Sequence, residues 1–248
     1  MSVTRAQFRS KPNRPRASVK RKPGSYQAHR DRQRQRILDA AQEVFDVKGI
    51  DRVTLAEIVK ATGVRPMTVY EYFANKDEIV WALVESYFQQ SCDFIGERVA
   101  AVSGSALVRL TALLDAFGQE LSEHPGRVRF QAQFDAMYAR EWSVDQLIAI
   151  EEKIVPNRSE GLSGLIRQGV ADGSLRPDLN PELTIYSIIN AAVASQRRLA
   201  SLGDRVEKEY GQSIHSLFRE AMRLILIGVR RNESADASPS LQKRKRVP

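Results

Sequence analysis

The sequence predicts an all-α protein, and three observations carry that prediction. Apolar residues recur at three- and four-residue spacing through most of the chain after residue 37. The breaks between these runs hold helix-capping residues, glycine or proline, as at 124–126, 172–173 and 180–181. No stretch sustains the apolar–polar alternation that a sheet strand requires, and no segment repeats at a fixed period. At 248 residues the chain is long enough for one large core or two modest ones, and 42% hydrophobic with 27% charged residues is ordinary for a globular protein.

The formal charge of +8 is unevenly placed. Residues 1–36 hold twelve Lys and Arg against Asp31 alone, and Lys243–Arg246 add four more cations at the other end. The 22 basic and 29 acidic residues that remain give positions 37–242 a net charge of −7. Residues 1–28 combine Arg, Lys, Pro and Ser without apolar periodicity and read as a disordered basic arm, and 233–248 as a disordered basic tail. Such an arm either adds sequence-independent attraction for phosphates or only solubilises the chain; composition leaves both open. No apolar run is long enough to span a bilayer, and the basic start has no apolar segment behind it, so neither a membrane anchor nor a secretory signal is expected. The single cysteine, Cys92, excludes an internal disulfide and a multi-thiolate zinc site, which fits a reducing, cytoplasmic setting.

From residue 31 the pattern turns helical. Ile37, Leu38, Ala41, Val44 and Phe45 share one face, and Gly49 suits the C-terminal turn. Thr54 and Glu57 form the S/T-x-x-E capping signature that starts a second, short helix, whose apolar residues Leu55, Ile58 and Val59 run to Thr62-Gly63. Pro66 restarts a helix, since proline is well tolerated at the first helical position. Two short helices joined by a glycine-containing turn make a helix-turn-helix, the arrangement whose second helix enters the DNA major groove. In and just before that second segment, 66–73, Val64, Val69 and Phe73 are spaced to pack inward on Ile37, Phe45 and Ile58. Pro66, Met67, Thr68, Glu71 and the hydroxyls of Tyr70 and Tyr72 are then left outward. Glu71 would repel phosphate, accept from cytosine N4, or simply face solvent.

Asn75 caps the next helix, with Asp77 and Glu78 at its positive end and Ile79, Val80, Leu83, Val84, Tyr87 and Phe88 on its apolar face. Further helices are predicted over about 103–122, 127–140, 144–154, 158–172, 182–202 and 205–230. The last two are long and rich in small and branched apolar residues, which suits a four-helix bundle with a symmetry mate.

The segment Gly63-Val64-Arg65-Pro66-Met67-Thr68-Val69-Tyr70-Glu71-Tyr72-Phe73-Ala74-Asn75-Lys76 resembles the recognition segment of the tetracycline-repressor (TetR/AcrR-like) family of transcriptional regulators. That pattern is a Gly-Val turn, then Tyr-x-Tyr/His-Phe, then Lys. The upstream Ile37–Phe45, Gly49, Thr54 and Ile58 agree, and the Asp172–Asp178 element is similar to a loop ahead of the family's dimerisation helices. The resemblance implies an N-terminal three-helix helix-turn-helix DNA-binding domain, 29–76, joined to a larger helical effector and dimerisation domain, 77–232. It implies phosphate contacts by Thr54, Tyr70, Tyr72 and Lys76, and base-facing positions at Arg65, Pro66, Met67 and Thr68. Arg65 could serve guanine or a phosphate equally well. The family commonly has Ser where this chain has Arg65 and a small residue where it has Met67. Loss of that capping hydroxyl weakens the helix start by about 0.5–2 kcal/mol, and the operator cannot be borrowed from relatives.

The functional expectation is a homodimeric regulator, a repressor by family habit, that binds a palindromic operator in double-stranded DNA and is released by a small apolar effector. The aromatic-rich residues Phe117, Phe130, Phe134, Met137, Tyr138 and Trp142 are its expected lining. The alternatives are a DNA-binding dimer without effector control, and a helical enzyme or adaptor. An enzyme is not expected: His29, His124 and His215 have no metal-ligand spacing or catalytic motif, and no glycine-rich phosphate loop is present. No cofactor is expected.

Overall fold

The computed structural model describes residues 23–138, 144–155 and 158–232. The described residues form eleven helices: α1 (Pro23–Lys48), α2 (Leu55–Thr62), α3 (Pro66–Tyr70), α4 (Lys76–Ala100), α5 (Ala106–Glu123), α6 (Pro125–Tyr138), α7 (Val144–Ile154), α8 (Arg158–Ala171), α9 (Pro181–Leu202), α10 (Arg205–Tyr210) and α11 (Ile214–Val229). Extended structure among them is limited to one isolated antiparallel bridge, Leu175 with Arg230. No described helix is long and apolar enough to cross a membrane. The fold is all-α, with a helix-turn-helix unit at the N-terminal end and a larger helical region after it.

Two hydrophobic cores organise these helices. The first gathers Ile37, Leu38, Ala41 and Phe45 of α1, Ile58 and Val59 of α2, Val69 and Phe73 at α3, and Ile79 to Tyr87 of α4. It also takes in Phe130 and Phe134 of α6. The second joins α5, α8, α9 and α11 through residues such as Leu110, Leu114, Leu121, Ile166, Ile185, Ile188 and Phe218. The division therefore falls within α4, whose first half is buried in the N-terminal core and whose later Ile95 and Val99 pack on the second. A boundary at residue 76 separates sequence motifs; the buried side chains run past it on one continuous helix.

Two boundaries differ from the sequence expectation. Helix α1 starts at Pro23, so 23–28, expected as disordered arm, lie in a helix, while 1–22 and the tail 233–248 lie outside the described residues. Apolar periodicity missed this start because the first half of α1 has no core to face. Its Gln, Arg and Ala residues are good helix formers, and proline suits the first helical position. The single helix expected over 205–230 is two: Gly211 takes the left-handed conformation (φ 64°), and the Ser213 side chain accepts from the Ser216 N–H at 3.1 Å to start α11.

The Asp172–Asp178 segment ties three helices together. Asp172 accepts from the Ala106 N–H at 2.8 Å, and the Ser174 hydroxyl accepts from the Leu107 N–H at 3.2 Å, so the segment caps α5. A hydrogen bond from the Ser174 side chain, then those from the Ala106 and Ser174 N–H groups, hold the Asp172 carboxyl below the usual carboxylate range. The Arg176 N–H donates to Val229 at the end of α11. A Cβ on Gly169 would stand 2.3 Å from Leu175 Cδ1, so the buried Leu175 reaches α8 only because glycine is there.

Beneath the middle of α4 lies a buried polar cluster. Glu120 of α5 is 1% exposed; it accepts from Ser91 of α4, from Arg127 Nε of α6 at 3.1 Å, and from Gln196 of α9 at 3.1 Å. Gln196 also donates to the Phe117 carbonyl at 2.9 Å, and Arg127 reaches Gln90 at 3.2 Å. Four helices thus meet on one buried carboxylate, in an ion pair with Arg127 at 3.0 Å.

Candidate nucleic-acid interface

The short helix α3 is set by what precedes it. At the end of α2, Gly63 adopts φ 63°, a left-handed conformation that side chains with a Cβ rarely take, and this turns the chain sharply. The buried Thr62 hydroxyl donates to the Val59 carbonyl at 2.7 Å and accepts from the Val64 N–H at 3.3 Å, fixing the same corner. Arg65 then occupies the N-cap position with extended backbone and makes no side-chain cap, and Pro66 opens the helix. Val69 and Phe73 are buried in the N-terminal core, as expected, and Val64 packs on it in part.

That anchoring orients the opposite side of α3 to solvent. Met67 is 71% exposed and Tyr70 51%; Arg65, Pro66 and Glu71 are exposed as well, while Thr68 and Tyr72 are half-buried. Met67 and Tyr70, three residues apart on the helix, both leave apolar surface in water on this front. Tyr70 borders a groove between α2 and α3 that is also lined by Lys60, an exposed cation that the sequence reading passed over.

Two of the expected phosphate ligands carry structural duties. The Thr54 hydroxyl accepts from the Glu57 N–H at 3.3 Å and donates to Glu57 Oε2 at 2.9 Å, while the Glu57 carboxylate accepts from the Thr54 N–H at 2.8 Å. This is the capping box expected from the sequence, closed by Lys48 at 2.6 Å from Glu57. The Lys48 hydrogen bond, then those from Thr54, lower the Glu57 carboxyl to about 2. Its folded value lies below its unfolded one, so the cap is at full strength above the ordinary carboxylate range and is lost as pH falls through about 2. A phosphate contact by Thr54 requires its hydroxyl to leave that box. Lys76, half-buried, donates to the Ile50 carbonyl at 3.0 Å, and its ammonium retains further donors. Gln133 of α6 accepts from the Ile50 N–H at 3.1 Å, so α4 and α6 hold the two peptides that flank Ile50.

Of the residues expected to line an effector site, Phe117 is not brought together with Phe130, Phe134 and Met137. Phe130 and Phe134 are fully buried in the N-terminal core, Phe130 edge-on to Tyr87 with ring centroids 5.1 Å apart and Phe134 edge-on to Trp81 at 5.0 Å. Met137 packs on that same core, whereas Phe117 belongs to the second. Trp142 and the Tyr138 side chain lie outside the described residues. The three histidines lie on separate elements: His29 on α1, His124 edge-on to Phe94, and His215 sharing a hydrogen bond with Ser122 at 2.9 Å.

Comparison with known proteins bears on this geometry. Residues 37–83, from the buried face of α1 into α4, match the family of bacterial regulatory proteins described as the tetR family. The HTH-type transcriptional regulator YvdT of Bacillus subtilis is 35% identical over 65 residues, 26% of this chain and 34% of that protein, so the match spans about a third of that relative. The HTH-type transcriptional repressor KstR2 of Mycobacterium tuberculosis is 25% identical over 179 residues, 71% of this chain and 86% of that protein. The solved structure of that organism's ketosteroid transcriptional regulator KstR2 shares the fold, with a TM-score of 0.60 and 20% identity over 80% of this chain and 95% of the other. The matched residues form the helix-turn-helix itself, so residues 37–83 carry the segment that describes the tetR family of bacterial regulatory proteins, and the relatives that this chain resembles are transcriptional regulators of helix-turn-helix type.

Proposed function

We propose that this chain is a transcriptional regulator of the tetR type that binds a palindromic operator as a homodimer, with α3 of each protomer in the major groove. The observation that carries the reading is the solvent-facing front of α3, where Arg65, Pro66, Met67 and Tyr70 stand out from a helix pinned by Val69 and Phe73. Arg65, Pro66, Met67 and Thr68 take the base edges, and Tyr70, Tyr72 and Lys76 the phosphates, with Thr54 joining them if its cap opens. The domain division follows: residues from α1 to the start of α4 read DNA, and the later helices dimerise. The test is retardation of genomic fragments by the wild-type chain and by a Tyr70→Ala, Lys76→Ala variant. The variant is expected to lose the sequence-specific complex, with thermal melting to show that it still folds. Equal binding by both chains would assign the affinity to basic-tail electrostatics alone.

A single five-residue helix contacts few base pairs, so operator affinity calls for two copies related by symmetry. The packed helices α9 and α11 supply the surface: Leu183 is 69% and Leu224 57% exposed, with Tyr186 and Ile227 exposed beside them on the same helices. Ser187, Ala191 and Ala194 continue the exposed side of α9 with small residues that allow close helix approach. A Leu183→Glu, Leu224→Glu variant is expected to sediment as a monomer at micromolar concentration and to lose at least about tenfold in operator affinity, consistent with halving the contacts. An unchanged dimer would place the interface elsewhere.

The proposal extends to repression and to release by a small apolar effector. KstR2, named a repressor and a ketosteroid regulator, supports both. Phe117 lies in a different core from Phe130, Phe134 and Met137, so the ligand class is proposed here and its lining is not. A panel of steroid-like and other apolar molecules is expected to contain a compound that raises the melting midpoint and weakens the operator complex. A compound-independent midpoint across the panel would favour a dimer without effector control.

A further inference from the structure

The first half of α1 holds none of the DNA contacts assigned above, and it is chemically unusual. From Tyr26 to Arg36 it runs about 16 Å along its axis; every residue in it is exposed except the half-buried Ala28 and Gln33. It carries Arg30, Arg32, Arg34 and Arg36. Among the described residues none of these four forms an ion pair. The nearby carboxylates are taken by amides instead: Asp31 accepts from Gln27 at 2.9 Å, and Asp39 from Gln35 at 2.8 Å. Arg30 and Arg34, and likewise Arg32 and Arg36, stand four residues apart, where like charges on a helix repel. An ordinary solvated helix would relieve that repulsion with an acid at the same spacing.

The position of these cations is equally specific. The Arg30 guanidinium lies over the Tyr72 ring, 5.7 Å from its centroid, and Arg34 lies over Phe73 at 5.3 Å. Arg36 reaches the other side of α3, with Nη2 3.6 Å from where a Cβ on Gly63 would sit. The cationic half of α1 therefore passes the turn that leads into α3 and the residues that lead out of it. Its described end, at Pro23, is preceded in the sequence by Arg5, Arg9, Lys11, Arg14, Arg16, Lys20, Arg21 and Lys22, with no acid among residues 1–22. Charge this concentrated beside a DNA-reading helix matches one partner best, a polyphosphate backbone.

We propose that Arg30, Arg32, Arg34 and Arg36 form a second docking surface that engages duplex phosphates flanking each half-site, outside the base pairs read by α3. This rests on the operator reading above. The stacks on Tyr72 and Phe73 hold the helix in register with α3, so the flanking contacts lie at a fixed distance from the bases read. Phosphates carry no sequence identity, so the surface lengthens the footprint and steepens the salt dependence without altering which bases are preferred.

The experiment uses the full chain and duplexes that it selects from a random-sequence library, each then prepared trimmed to the selected core or extended by eight arbitrary base pairs on both sides. Wild type is expected to bind the extended duplex at least about tenfold more tightly at 0.15 M salt, with a salt slope steeper by about 0.9 for each further phosphate neutralised. The R30Q/R32Q/R34Q/R36Q variant, whose glutamines preserve helix propensity, is expected to bind both duplexes alike, and the corresponding four-lysine variant to recover the preference. Equal extension dependence in wild type and the glutamine variant would overturn the proposal. So would an equal loss by that variant on trimmed and extended duplexes, which would put these arginines inside the half-site. If no core is enriched, the operator reading fails and this inference with it; a core enriched without extension dependence leaves the operator reading standing and removes only the flanking surface.

Discussion

Glu120→Ala is expected to destabilise the chain by about 3–5 kcal/mol, because it leaves the Arg127 guanidinium buried without its anion. Glu120 and Arg127 are both buried, and the carboxylate also satisfies Ser91 and Gln196, so one truncation orphans groups on α4, α6 and α9 together. In thermal melting the loss corresponds to roughly 2–4 °C per kcal/mol for a chain of this size. A Glu120→Leu, Arg127→Met double variant separates the two contributions to that loss. Removing both charges is expected to cost far less than removing one, since the desolvation of the pair is relieved at the same time. Urea unfolding of the three chains measures this; a single-variant loss below about 1 kcal/mol would mean that the cluster contributes little.

The second large effect is expected at Phe130. This ring is packed between α1, where it meets Phe45 with centroids 5.9 Å apart, and α4, where it meets Tyr87 edge-on. Burial pushes the Tyr87 hydroxyl well above its ordinary range, the mark of a site with little water. Phe130→Ala removes a fully buried ring from a packed junction and is expected to cost about 3–5 kcal/mol, with Phe130→Leu costing clearly less because most of the volume is retained. The readout is the urea midpoint with an unchanged m-value. Because Phe130 belongs to α6 yet sits in the N-terminal core, the alanine variant is also expected to loosen the joint between the helix-turn-helix and the helices behind it. An Ala variant as stable as wild type would contradict the packing described.

The contrast between residues 54–73 and the aromatic residues of α6 shows where sequence reading succeeds and where it stops. Thr54 and Glu57, Gly63, Pro66, Val69 and Phe73 act through local rules of spacing, capping and backbone conformation, and each stands in the structure as those rules require. Phe130 and Phe134 obey the same periodicity, but spacing identifies a buried face without naming the core that it meets. Two aromatic residues read as possible ligand contacts are instead the bond between α6 and the N-terminal helices. Glu120 follows the same logic: it sits three residues after Phe117 on the buried side of α5, and besides Arg127 its partners Ser91 and Gln196 are 29 and 76 residues away in sequence. Lys76 was legible as a cation next to the reading helix; its contact with the Ile50 carbonyl depends on a loop 26 residues upstream. The start of α1 at Pro23 was hidden for the opposite reason, since a helix with no buried face leaves no apolar period to detect.

The central claim is that the exposed front of α3 reads bases twice through a symmetric pair. The direct measurement is sequence selection from random duplexes by the full chain, repeated with Met67→Ala, Thr68→Ala and Tyr70→Phe. The predicted result is an inverted repeat with half-site centres about one helical turn apart or a multiple of it. Met67→Ala and Thr68→Ala should then change the preferred base at a few matching positions in both halves, while Tyr70→Phe weakens binding evenly across sequences. An enriched sequence without two-fold symmetry, or one whose preferences ignore every substitution on α3, would contradict it.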